Sequence, residues 1–309
     1  MLNGTITVTA LGLLALYESI TAMRNMELAG AMCYEALRGT TKALDPRIHD
    51  AKRHEEQAGS ARNLSRMLSG SQIGAKYIDA KVQDAYVMRS MAHIHGAAKK
   101  LVKEAYEVIV NEMHSISDNP EIFSAGENDG VALMCGNFDG SFVGSHADMI
   151  AMACAIAGNL VERGTDRMVN RNLNDGLPAF LVSNPGLNSG FMIPQYTAAS
   201  IVSQSKGLCM PASVDSIPSS QGQEDHVSMG SNAATKLLRV VDNTRRVLAI
   251  ELMNAAQALE FRRPLRSSDA VEKLFEDYRK QVPFVDNDQV MYPHIAASVK
   301  FLDEYEIAD

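Results

Sequence analysis

The chain has 309 residues, a formal net charge of -8, 46% hydrophobic residues, 17 methionines and no tryptophan. That length is enough for a sizeable core, and the acidic balance excludes nucleic acid as the main partner, because phosphate binding needs a basic footprint. A 6% aromatic content beside abundant Met and Ala favours helix packed on helix over a β-sandwich, which draws on aromatic and β-branched residues.

Cys33, Cys135, Cys154 and Cys209 lie far apart and form no C-x-x-C pair. They give neither a zinc pattern nor a disulfide framework, and read as buried free thiols in a reducing cytoplasm. The first 17 residues carry no charge. They lack a basic leader region, and Glu18 interrupts the stretch before it could span a bilayer, so a cytoplasmic protein without a membrane partner is expected.

In chain order, apolar residues recurring at mixed threes and fours predict a first helix over about Thr5 to Arg38, with Gly39 as its stop. Asp45-Pro46-Arg47 is a break. A second helix is expected over roughly His49 to Ser69, then an irregular stretch from Ser71 to Asp84. A third helix should run from Asp84 or Ala85 to about Ser115, ended by Asn119-Pro120. A glycine-rich excursion fills Gly126 to Gly140. A fourth helix covers Ser145 to Asn170, a loop carries Pro178, Pro185 and Gly190, and a fifth helix covers Pro194 to Gly207. The sixth, Glu224 to Phe261, would measure ~57 Å at 1.5 Å per residue. Two short helices over Asp269–Gln281 and Asp286–Tyr305 finish the chain. Few strands are expected. The whole reads as a single helical domain, residues 1–309, whose long helices also bury faces against other subunits.

Five constellations carry chemistry-bearing residues. Gln223-Glu224-Asp225-His226 lines up two carboxylates and an imidazole at the start of the predicted sixth helix, after a polar loop. Acidic residues at a helix start are also ordinary caps. Gln83, Tyr86 and Arg89 sit three apart, so on a helix they share a broad face. That face is either a solvated stripe or a carboxylate site, in which Arg89 would donate two parallel hydrogen bonds. Leu2-Asn3-Gly4-Thr5 is by itself a turn or cap signal. Phe138 stands in Gly136-Asn137-Phe138-Asp139-Gly140, and Met192 closes the loop Asn184 to Met192.

Taken in order, these motifs resemble the aromatic amino acid ammonia-lyase family, closest to its histidine ammonia-lyases. The series is Leu-Asn-Gly-Thr, Val-Gln-Asp-x-Tyr-x-x-Arg, Ser-Asp-Asn-Pro, Gly-Asn-Phe, Asn-Ser-Gly-Phe-Met, Ser-Val-Asp-Ser and Gln-Glu-Asp-His-Val-Ser-Met. It extends from Asn3 to about Arg262. The resemblance implies an all-α bundle of long, roughly antiparallel helices, assembled as a tetramer with active sites between subunits. It implies Asn3 holding the prosthetic group and substrate carboxylate, Tyr86 beside the electrophile, and Gln83 and Arg89 on the carboxylate. Phe138 and Met192 would line the pocket, with Glu224 meeting a histidine substrate. A carboxylate suits an imidazole or ammonium and would be poorly satisfied beside a phenyl ring.

The family's electrophile is a methylidene-imidazolone made from an internal Ala-Ser-Gly. No Ala-Ser-Gly occurs in the 309 residues. The chain therefore looks like the C-terminal part of a lyase, expected to join an N-terminal chain bearing that tripeptide and to convert L-histidine to trans-urocanate and ammonia. Asp139 and Ile6 depart from the histidine-lyase pattern. They keep open a lyase or aminomutase for another aromatic amino acid, and a non-catalytic helical oligomerisation protein is the third reading.

Overall fold

The computed structural model describes residues 3–127 and 129–306; Met1 and Leu2, the first residue of the Leu-Asn-Gly-Thr motif, lie outside the described residues. Eleven α-helices and one hairpin are found among them. They are α1 (Ile6–Ala36), α2 (Pro46–Lys52), α3 (Glu55–Met67), α4 (Gln72–Tyr77), α5 (Tyr86–Arg89) and α6 (Met91–Met113). The hairpin strands β1 (Glu121–Gly126) and β2 (Asp129–Leu133) come next. The remaining helices are α7 (Ser141–Val169), α8 (Met192–Leu208), α9 (Gly230–Glu260), α10 (Asp269–Arg279) and α11 (Tyr292–Glu304).

The all-α bundle is as expected, and its side-chain contacts set the helix directions. Gly30 of α1 faces Met91 and His95 of α6, while Gly12 faces Ile109, so these two helices run antiparallel. At one end, a Cβ on Gly144 of α7 would stand 3.0 Å from the Gly230 Cα of α9, a crossing that only glycine permits. At the other end, Gly164 of α7 meets Glu251 of α9 and Cys33 of α1. Thus α1, α7 and α9 run parallel. Helix α8 returns against them: Gln195 bonds Glu162 at 3.0 Å near its start, and Cys209 Sγ reaches Ala151 O at 3.2 Å just past its end.

Burial grades along the bundle. Every residue from Asn25 to Leu37 and from Val247 to Leu259 is buried; helices enclosed on all sides sit at the centre of a domain. The first half of α1 instead leaves Leu14, Tyr17 and Ile20 exposed. Helices α1 and α7 are long and apolar enough to cross a membrane by length and composition; here both pack against α9 and α6.

Six boundaries differ from expectation, the last helix among them, which begins at Tyr292 after a non-helical segment and not at Asp286. The second predicted helix is two, because Arg53 adopts a left-handed φ of 62° and turns the chain between α2 and α3. The stretch read as irregular holds α4, capped by Ser71 Oγ, which accepts Gly74 N at 2.8 Å and donates to the buried Glu35. The third helix is divided at Ser90 into α5 and α6. The glycine-rich excursion pairs as β1 and β2, antiparallel from Glu121↔Leu133. Most consequentially, α9 begins at Gly230 and not at Glu224. The preceding residues spend their backbone groups elsewhere. Ser216 Oγ both accepts Val227 N and donates to Val227 O, and Ser219 and Glu224 bridge one another. A backbone so engaged cannot close helical hydrogen bonds.

Candidate functional site

The sequence-predicted residues fall into two groups at opposite ends of the bundle. Asn3, Phe138 and Glu224 belong to the end where α1, α7 and α9 start. Asn3 Nδ2 meets Asn119 Oδ1 at 3.4 Å, and Thr5 Oγ1 donates to Glu112 Oε1 at 2.5 Å, tying the chain start to the end of α6. Phe138, 42% exposed, lies between two anchored neighbours. Asn137 Nδ2 donates to Ile116 O, and Gly140 N donates to Ser228 Oγ at 2.9 Å. That serine bond joins the Phe138 loop to the segment bearing Glu224. Ser213 N in turn donates to the buried Asp148 carboxylate at 2.8 Å. Glu224, Asp225 and His226 are all exposed. They do not cap α9, so the bland cap reading of Glu224 fails with the helix boundary.

Gln83, Tyr86, Arg89 and Met192 belong to the other end, where α1 finishes. Gln83 precedes α5 and is not on a helix, yet the trio still gathers. Arg89 Nη1 donates to Gln83 Oε1, and the guanidinium sits 4.7 Å above the Tyr86 ring. Tyr86 is 69% exposed and Arg89 half-buried. Stacking on one face leaves the in-plane fork of an arginine open to a carboxylate.

A charged network holds this segment. Asp84, buried between Gln83 and Tyr86, accepts Thr40 N at 2.6 Å and Lys81 Nζ at 3.4 Å. Lys81 also pairs with Asp175. Arg262 donates from Nε to Ala36 O at 2.8 Å, from Nη1 to Asp175 O at 3.1 Å and from Nη2 to Asn174 O at 3.0 Å. It thereby meets the carbonyl end of α1, where a cation is favoured. Burial lowers the Arg262 pKa to about 10, still charged at neutral pH. Below it, Glu251 is enclosed beside Cys33; burial raises its pKa to about 8, so it is largely protonated at pH 7.

Residue-by-residue reading of the sequence did not single out Asp84, Asp175 or Arg262. Asp84 stood inside the Gln83–Arg89 motif and was within reach. Asp175 and Arg262 carried no local signal, because Arg262 finds its acceptors 87 to 226 residues away.

Along α1, 31 residues separate the two groups by ~46 Å at 1.5 Å per residue. One copy of this chain does not bring Glu224 to Arg89. The polar groups that could meet a prosthetic group are divided: the exposed Asn3 amide stands at one end, and the exposed Tyr86 phenol beside the Arg89 guanidinium at the other.

Residues 1–280 match the family model of the aromatic amino acid lyases. A histidine ammonia-lyase of Sorangium cellulosum (strain So ce56) is 45% identical over 98% of this chain and 59% of its own length. Among solved structures, histidine ammonia-lyase from Trypanosoma cruzi superposes with a TM-score of 0.90 at 38% identity, covering 98% of this chain and 56% of that one. Tyrosine aminomutase from Streptomyces globisporus superposes with a TM-score of 0.88 at 31% identity, over 97% and 60%. The chain thus spans somewhat under two thirds of the length of these relatives.

Proposed function

This chain belongs to the aromatic amino acid lyase family, and we propose that it is the C-terminal portion of a histidine ammonia-lyase, active once combined with an N-terminal portion carrying Ala-Ser-Gly. The observation that carries the reading is the preassembled Gln83–Tyr86–Arg89 group, a carboxylate clamp with its aromatic and amide supports already in contact.

In the proposed reaction L-histidine loses ammonia to give trans-urocanate. Arg89 takes the substrate carboxylate through two parallel N–H donors, a geometry that an ammonium cannot copy. Gln83 Oε1 fixes the guanidinium plane, and Tyr86 Oη, beside the bound amino acid, is placed to hold or move a proton. Glu224, from the opposite end of another copy, accepts a hydrogen bond from the imidazole. Phe138 and Met192 exclude water around the ring. The methylidene-imidazolone, when bound, supplies an electron-poor carbon that makes ammonia loss feasible, with Asn3 beside it. Since Glu224 and Arg89 stand at opposite ends, the working site is proposed to lie between copies in a tetramer-like cytoplasmic assembly.

The test is co-expression with an N-terminal chain from a histidine ammonia-lyase relative. Intact mass should find that partner lighter than its sequence by two waters, and the purified complex should release urocanate from histidine. A complex that instead shifts the amino group of tyrosine or phenylalanine would favour the aminomutase reading, which Asp139 and Ile6 motivate. A well-formed complex inert toward all of these would leave a helical oligomerisation protein.

A further inference from the structure

Helix α8 begins at Met192, and the loop before it is held by a segment beyond the span that the family model matches. The Asp288 carboxylate accepts Ser189 N at 2.8 Å on Oδ2 and Gly190 N at 2.7 Å on Oδ1. The contact is reciprocal, since Asn188 Oδ1 accepts Asp288 N at 3.1 Å. Two backbone N–H groups on one carboxylate are charge-assisted bonds, stronger than neutral pairs, and they lower the Asp288 pKa.

Asp288 is itself carried on a rigid support. Gln257, buried in α9, accepts Val285 N at 3.1 Å on Oε1, and its Nε2 donates to Val285 O at 2.7 Å and Leu181 O at 3.1 Å. The chain of contacts therefore runs from the bundle centre through Val285 and Asp288 to the loop amides. The loop fits its seat closely. Gly190 has a φ of +52°, and a Cβ there would stand 2.4 Å from Val182 and 2.5 Å from Phe180 O. Phe191 is fully buried and donates its N–H to Phe180 O at 3.0 Å. Met192 N closes the turn on Ser189 O at 3.1 Å.

We infer that Asp288 is a positioning residue for substrate: it fixes the Asn188–Gly190 turn and so the direction in which Met192 enters the pocket. This rests on the proposed function for the pocket role of Met192, whereas the clamp itself stands on the geometry above. A loop ordered before substrate arrives spares binding the cost of ordering it, so loss of the clamp acts on KM more than on kcat.

The experiment uses the full chain in the co-expressed complex, with Asp288→Ala and Asp288→Asn. Amide exchange at Ser189 and Gly190 is expected to accelerate about tenfold or more in Asp288→Ala. KM for histidine should rise about fivefold or more with kcat within about twofold, a split that lost folding does not produce. Asp288→Asn, which keeps one acceptor, should fall between. Unchanged exchange overturns the clamp. Faster exchange with unchanged KM, or a lowered Tm alone, reduces Asp288 to a structural tie and overturns the inference. A wild-type complex without activity breaks the histidine reading and with it the substrate role, while exchange still decides the clamp.

Discussion

The two ends of the bundle are built differently. Where α1, α7 and α9 start, Asn3, Phe138 and Glu224 ride on loops, exposed and anchored by backbone contacts to single side chains such as Ser228 and Ser216. Where α1 and α9 finish, Gln83, Tyr86 and Arg89 rest on a network of Asp84, Asp175, Lys81 and Arg262 over a fully buried core. The contrast teaches how such a site divides its work. On the proposed reading, the carboxylate clamp is preorganised within one chain, and the groups that would select the side chain ride on loops offered to another copy.

The sharpest way to break this picture is complementation. Arg89→Lys and Glu224→Gln should each lower kcat/KM in the co-expressed complex, the first by about a thousandfold, since a point charge cannot replace the planar fork. Mixed assemblies of the two variants should recover activity, because some sites then receive Arg89 from one copy and Glu224 from another. Mixtures no more active than either variant alone would mean that both residues serve the same site from one chain.

A second test falls on the network end. Arg262→Met leaves the Ala36 carbonyl without its donor, removes one of two donors from the Asp175 and Asn174 carbonyls, and should destabilise the chain by ~2 kcal/mol, read as a urea midpoint shift. The same measurement on Glu224→Gln should show almost none, since that carboxylate is exposed and caps no helix. Equal losses would erase the distinction between the two ends.

A smaller and more specific effect is expected from the buried acid. Glu251 holds its proton up to about pH 8 in the fold, whereas an unfolded glutamate releases it near pH ~4.3. Between those values the unfolded state binds fewer protons, so stability falls as pH rises through this window and levels off above it. Glu251→Gln should flatten that slope, by on the order of 2 kcal/mol between pH 5.5 and 8.5. Glu35, whose burial raises its pKa to about 7, contributes the same sign in both proteins and cancels in the comparison. A variant with an unaltered slope would show that Glu251 is not the titrating group.

Much of this was legible before any coordinates. Ala- and Met-rich runs with periodic apolar positions mark α1, α7, α8 and α9 to within a few residues, apart from the start of α9, because helix propensity and amphipathic pattern are local. The order of short motifs is a property of the chain alone and points to the family that the comparisons bear out. The start of α9 was not legible, since Ser216, Ser219 and Ser228 compete for its backbone or neighbours from outside the helix. Nor was the role of Arg262 or Asp288, whose partners lie about a hundred or more residues away. Above all, nothing in the linear order places Asn3 and Glu224 at one end and Arg89 at the other. Helix direction is decided by which small residues let backbones approach, Gly144 on Gly230 and Gly164 on Glu251, and such contacts exist only once the bundle has formed.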